Sequence, residues 1–415
     1  MMKRTIGLLA ALLLVCASLT GAAAETLPPG TQLYEFKFPF YTSSLVPLAD
    51  GAVALFGNIT HPGEYRDLPD FTGYENKEDE QLQDAYAVCL EPDGTARWSL
   101  RLGDPQAQNT FYGKGLMPDG RLLVSFIAYD TTFGSQHFII GQDGVVEDML
   151  PARRIAESTS PLSLRLVSDG YLGGPEAPID DIYGDDYPRE LVKLDYDLNE
   201  QWRWNDGQQG WVEGLEEGPD GFFYSNAWSD DSWSSTGLRI FKLNREGNVL
   251  WSFVEEPVPG ANAVYAMEPQ ADGGVLFVSM YPPDRPADTE WQWPTLTLLD
   301  ADGQRTWSVG YGDRVRYIHD IAPLGDGYVL SGMVQDDAMA SDYLLLYVDA
   351  EGTLLGELPV KGDGERMPKP PSLATGEDGA VYAYGMLHGP LDMENLRDGP
   401  ILGTYYAELS VENFR

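Results

Sequence analysis

The chain has 415 residues, 65 of them acidic and 27 basic, for a formal net charge of −38, and 43% are hydrophobic. A surface this negative repels phosphate backbones and anionic lipid, which excludes a nucleic-acid role and favours solubility and cations. The apolar fraction suffices for a large core, and two cysteines provide no disulfide framework for an exported chain.

Residues 1–24 read as a secretory leader. Lys3 and Arg4 precede an apolar run from Ile6 to Val15, and Ala22-Ala23-Ala24 offers a small-residue cleavage site before Glu25. The run is too short to span a bilayer, so the expected mature protein is residues 25–415, extracytoplasmic or secreted, with no integral membrane segment. Cys16 follows Val15, a poor fit to the small residue that lipid attachment needs.

From there on the chain repeats itself. An Asp-Gly pair recurs at Asp50, Asp119, Asp169, Asp220, Asp272, Asp326 and Asp378, and from Asp119 onward the spacing is 50 to 54 residues. A second turn, with an acidic residue at Asp93, Asp143, Asp197, Glu246, Asp302 and Glu351, lies in the other half of each unit. Five residues after it stand Trp98, Trp202, Trp251 and Trp307, while the second and sixth units have Asp148 and Gly356 there. Around each turn lie short runs such as GYVLSGM and YLLLYVD, rich in β-branched, aromatic and Leu residues, which is the hairpin signature. Four strands per unit of about fifty residues predict an all-β, seven-bladed β-propeller of four-stranded antiparallel blades, a single domain over 25–415. The last unit ends after three strands (TYYAELS is its third), and residues 33–39 (LYEFKFP) are left over at the other end. The N-terminal strand is therefore expected to close the last blade, which removes its open edge.

The Asp-Gly turns are short, whereas the connections on the opposite face vary: 61–84, 178–190, 229–236, 282–294 and 388–403 are long and acidic or Trp-bearing. Long loops on a rigid scaffold carry binding. The four regularly placed Trp residues read as packing between blades. Five of the other six fall on the variable face of blades four and five, so the expected ligand-binding residues, on the variable face of blades three to five, are Trp211, Trp228, Asp230, Asp231, Trp233, Trp291 and Trp293, with Tyr183 and the inner-strand His319. Asp180, Asp181, Asp185 and Asp186 supply hard oxygen ligands for Ca²⁺ but lack the EF-hand spacing, and no cofactor is otherwise expected. Four His residues without HExxH or a Cys pair give no transition-metal motif, there is no G-x-S-x-G elbow, and Cys89 reads as a small buried residue on a third strand.

KLDYDLNEQWRWNDG, KLNREGNVLWSFVEE and LLDADGQRTWSVGYG, each followed by an Asp-Gly hairpin, resemble the repeats of PQQ-like β-propellers. The resemblance covers nearly all of the mature chain and implies stacked four-stranded blades. It brings no site with it: the adjacent Cys-Cys pair of the quinoprotein enzymes is missing, and seven blades depart from the eight of those relatives. Two functions are compatible with these features. One is a non-enzymatic binding or interaction module for protein or glycan at the cell envelope. The alternative is a carbohydrate-active hydrolase or lyase using carboxylates at the mouth of the propeller channel.

Overall fold

Short apolar runs punctuated by Gly-containing turns can satisfy their backbone groups by pairing with the next run along, and that is the arrangement found. The computed structural model describes residues 27–34, 40–60, 83–102, 108–129, 135–150, 162–175, 188–209, 214–228, 235–259, 263–280, 293–335, 341–361, 367–389 and 401–415. They form seven antiparallel sheets arranged as the blades of a ring. Each sheet pairs its strands in sequence order, and the first strand of each packs on the first strand of its neighbours around the axis.

Blade one comprises Phe40–Pro47, Val53–Thr60, Gln83–Leu90 and Ala96–Leu102. Blade two follows with Gln108–Leu116, Leu122–Tyr129, Ser135–Ile140 and Val146–Leu150, and blade three with Leu162–Val167, Gly170–Pro175, Pro188–Leu194 and Glu200–Gln209. Blade four is Gly214–Gly218, Gly221–Trp228, Ser235–Asn244 and Val249–Pro259; blade five is Val264–Pro269, Val275–Ser279, Thr295–Leu299 and Arg305–Gly310. Blade six is Tyr317–Leu324, Gly327–Gln335, Ser341–Val348 and Leu354–Val360. Blade seven has an inner strand in two pieces, Met367–Pro368 and Ser372–Thr375, then Val381–His388, Ile401–Leu409 and, from the other end of the chain, Gln32–Tyr34. Among the described residues the only helical segment is the 3₁₀ turn Val411–Phe414.

The blades are clamped at their outer edges by the periodic tryptophans, as expected. Trp98, Trp202 and Trp251 each donate from Nε1 to the carbonyl oxygen of Gln142, Arg245 and Ala301, in the outer turn of the next blade, at 2.8 to 2.9 Å. Their rings lie against Gly144, Gly247 and Gly303, where a Cβ would approach within 2.6 Å. Trp307 lies under Gly352 in the same way, and there Tyr311 Oη supplies the bond to the Gly352 carbonyl at 2.6 Å. The two departures from the Trp pattern are compensated. Blade two has Asp148, and the facing turn of blade three carries Leu198 in place of glycine, 8% exposed and held at a φ of 64°. Its side chain joins the core between blades two and three. Blade six has Gly356, and Phe414 of the C-terminal 3₁₀ turn fills the space: its carbonyl oxygen lies 2.2 Å from where a Gly356 Cβ would stand, and its ring packs on Tyr347.

The ring closes as the leftover strands require. Gln32 pairs with Tyr406, Leu33 with Tyr405 and Tyr34 with Thr404; 35–39, the rest of the expected closing strand, lie outside the described residues. Gln32 Nε2 donates to Pro92 O at 3.2 Å, and Pro92 is the counterpart in blade one of Gln142, Arg245 and Ala301. The N-terminal strand thus makes the clamp that tryptophan makes elsewhere. Cys89 is buried on the third strand of blade one, and burial pushes its thiol up to about 11, which keeps it unreactive.

Candidate functional site

An inner strand has one neighbour in its own sheet and faces the axis on its free side, so ionisable residues on it converge with those of other blades. Counting back four residues from the inner-turn Asp gives Val46, Gly115, Arg165, Glu216, Glu268, Ala322 and Ala374. Blades three, four and five therefore present an arginine and two glutamates at one level. Blade six adds a carboxylate two residues further along, where a bulge at His319 resets the register so that Asp320 pairs with Ser331. The result is an arc, Arg165, Glu216, Glu268 and Asp320, across four consecutive blades.

Arg165 Nη1 donates to Glu216 Oε1 at 2.5 Å, joining blades three and four. On the turn side Ser168 donates to Glu217 from its backbone N (2.6 Å) and its Oγ (2.5 Å), and Arg245 also binds Glu217, which keeps the two blades in register. Asp320 Oδ2 accepts from Leu373 N of blade seven at 2.7 Å, and Oδ1 from Ile321 N at 3.0 Å. Beside it, His319 Nε2 lies 3.2 Å from Pro371 O and 3.1 Å from Ser331 Oγ, and Ser331 Oγ also donates to Pro371 O. His319 is thus fixed at the junction of blades six and seven, and burial lowers its pKa, leaving it neutral.

The carboxyls sit in an environment that disfavours charge. Burial pushes Glu268 up to about 8, and the charges of Glu216 and Asp320 add to the effect. Asp320 is pushed up to about 7 by burial, against the opposing pull of its two backbone N–H donors. Glu216 is also raised by burial, with Arg165 countering. A third of its side chain remains open to solvent, but the protein packed around the inner strands still sets its titration. At neutral pH the arc accordingly offers an ion pair at one end, a protonated Glu268 carboxyl beyond it and Asp320 close to its midpoint, so it can donate as well as accept hydrogen bonds.

The sequence-derived site residues divide into three groups. Trp211, Asp230, Asp231, Trp233, Trp291 and Tyr183 lie outside the described residues, as does the acidic stretch 180–186. Trp228 ends the second strand of blade four. Of the rest, His319 adjoins the arc, and Trp293 stands away from the axis, 43% exposed, two residues ahead of the third strand of blade five. Arg165, Glu216 and Glu268 were not singled out by sequence reasoning. Aligning the units on their inner-turn Asp would have found them, since no other blade has an ionisable residue at that level. Among the described residues, no three His, Cys, Asp or Glu side chains are grouped so as to hold a metal ion.

No protein-family profile and no curated protein sequence matches the chain. Among solved structures, it is similar to the β-propeller domain of the Trilobed protease from Pyrococcus furiosus, which has an open velcro topology. The identity is 10% and the TM-score 0.51, over 86% of this chain and 93% of that one. It is also similar to the acylaminoacyl peptidase of Pyrococcus horikoshii, at 11% identity and a TM-score of 0.50 over 90% of this chain. This chain spans about half of that peptidase, 53% of its length. At these identities the likeness is one of fold.

Proposed function

We propose that the protein is an exported seven-bladed propeller serving as a binding module, which takes a polar protein or glycan ligand at the axis. The observation that carries this reading is the arc of Arg165, Glu216, Glu268 and Asp320 on the inner strands of four consecutive blades. Apolar residues or glycine there would serve the scaffold as well, as they do in blades one, two and seven. The leader-like segment supports export, and the repeat resemblance supports a place among PQQ-like propellers as a scaffold without the quinone cofactor.

A carbohydrate-active enzyme is the second reading, favoured by one feature of the arc. Glu268 holds its proton at neutral pH while Glu216 is paired with Arg165. A general acid beside an anchored carboxylate is what glycosidic cleavage requires. An array of glycans and peptides probed with residues 25–415, with reducing-sugar release followed in parallel, tests both. Binding without release, weakened in Arg165→Ala and Glu216→Gln, supports the module. Release abolished in Glu268→Gln supports the enzyme, and silence in both assays contradicts both.

A further inference from the structure

A cleft of about 420 Å³ lies on the rim between blades five and six, away from the axial arc. Its walls are the end of the outer strand of blade five and the outer turn of blade six. Tyr311, Asp313, Arg314, Glu351 and Thr353 supply its polar groups. The Tyr311 hydroxyl is engaged with Gly352 O, which ties the two walls together. Arg314 is loosely held: its Nε is 3.6 Å from Asp313 and 3.4 Å from Glu357, beyond hydrogen-bond length, and half of its side chain is open to solvent.

Trp293 borders the same strand. Its indole rests on Gly310, a residue of the cleft wall, and on Gly312; a Cβ at either glycine would come within 2.1 to 2.5 Å of the ring. Backbone bonds hold it in place, Trp293 N donating to Met280 O and Trp293 O accepting from Thr295 Oγ, each at 2.9 Å. Val309 and Tyr311 line the cleft, while the indole occupies the space where a Gly310 side chain would stand. Plate and cleft thus flank one exposed edge.

We propose that this edge binds a neutral, equatorially linked pyranose chain. A fixed aromatic plate suits the C–H face of such a ring, and hydroxyls both accept from Arg314 and donate to Asp313 and Glu351. The charge balance selects against acidic sugars, because Asp313, Glu351 and Glu357 surround a single arginine on a chain of net charge −38. Because the plate and the cleft meet at Gly310, at the end of the strand, a chain of several rings passing over that end reaches both and a single ring does not. The site shares no residue with the axial arc, so its failure leaves that reading intact.

The test is calorimetric titration of residues 25–415 with cellohexaose, with glucose and hexalysine as comparisons. Cellohexaose should bind, glucose should not, and Trp293→Ala should weaken binding roughly tenfold or more. Trp293→Tyr should retain most of the affinity. Asp313→Asn, at an exposed position, should weaken binding several-fold without moving the melting temperature. No heat with millimolar cellohexaose would overturn the proposal, as would equal affinity in wild type, Trp293→Ala and Asp313→Asn. Tighter binding of hexalysine than of cellohexaose would overturn it in favour of a basic peptide ligand.

Discussion

Trp202 Nε1 donates to the Arg245 carbonyl at 2.8 Å while its ring lies beneath Gly247, so one side chain both fills and hydrogen-bonds the turn of the next blade. Gly247 has a φ of 81°, and a Cβ there would meet the ring at 2.6 Å. Gly247→Ala should therefore lose about 2–4 kcal/mol in a denaturant titration, combining backbone strain with a displaced ring. Gly379 has a φ of 82° but nothing within 4 Å of a Cβ. Gly379→Ala should cost only about 1 kcal/mol. Equal costs at the two sites would show that the ring contact is unimportant.

Leu198 occupies the glycine position of the turn that faces Asp148. Leu198→Gly relieves the positive φ but removes a buried side chain from the core of blades two and three. The cavity term outweighs the strain, and a net loss of about 1–3 kcal/mol is expected. Adding Asp148→Trp to Leu198→Gly recreates the pair found at Trp202 and Gly247 and should recover at least half of the loss. A double-mutant cycle with no coupling would refute this equivalence.

Lys242 is 1% exposed and binds Asp220 Oδ2 at 2.8 Å and Gly273 O at 2.7 Å, whereas Asp220 is half open to water. Removing the two partners should thus have unequal effects. Lys242→Met leaves a solvated carboxylate and should cost about 1 kcal/mol, while Asp220→Asn strands a buried ammonium and should cost about 3 kcal/mol. Thermal or urea unfolding that ranked them the other way would contradict the argument.

Phe414 is 7% exposed between blades six and seven and covers Gly356. Phe414→Ala should destabilise the protein by about 3 kcal/mol, an effect out of proportion to its place one residue from the chain end. A change below about 0.5 kcal/mol would mean that the C-terminal turn is not part of the closure.

The blade count was legible because turn chemistry and the Trp–Gly clamp repeat at fixed spacing. Closure was legible because one blade lacked a strand and one strand lacked a blade, although the role of Gln32 was not, since an amide there replaces an indole. The axial arc was hidden for two reasons. Arg165, Glu216, Glu268 and Asp320 lie about fifty residues apart in sequence, and 65 acidic residues make any four unremarkable. Only the closed ring, with the bulge at His319, brings them to one side of the axis.

Glu268 and Asp320 are pushed up to about 8 and about 7 in the folded protein, above the ordinary carboxyl range that applies when the chain unfolds. Between about pH 4.5 and 8 the folded state then holds more protons than the unfolded state, so these groups make stability fall as pH rises through that window. Glu268→Gln should flatten this dependence, leaving the melting temperature little changed at pH 5 and raising it at pH 8.5. A variant that melts below wild type at pH 8.5 would show that the ionised glutamate is favoured.

Donation from the axial arc depends on Glu268 keeping its proton near neutrality. That protonation is tested most directly by infrared difference spectroscopy of wild type against Glu268→Gln at pH 7. A protonated-carboxyl C=O band present in wild type and missing in the variant is the predicted result. A difference confined to the ionised-carboxylate bands would contradict it.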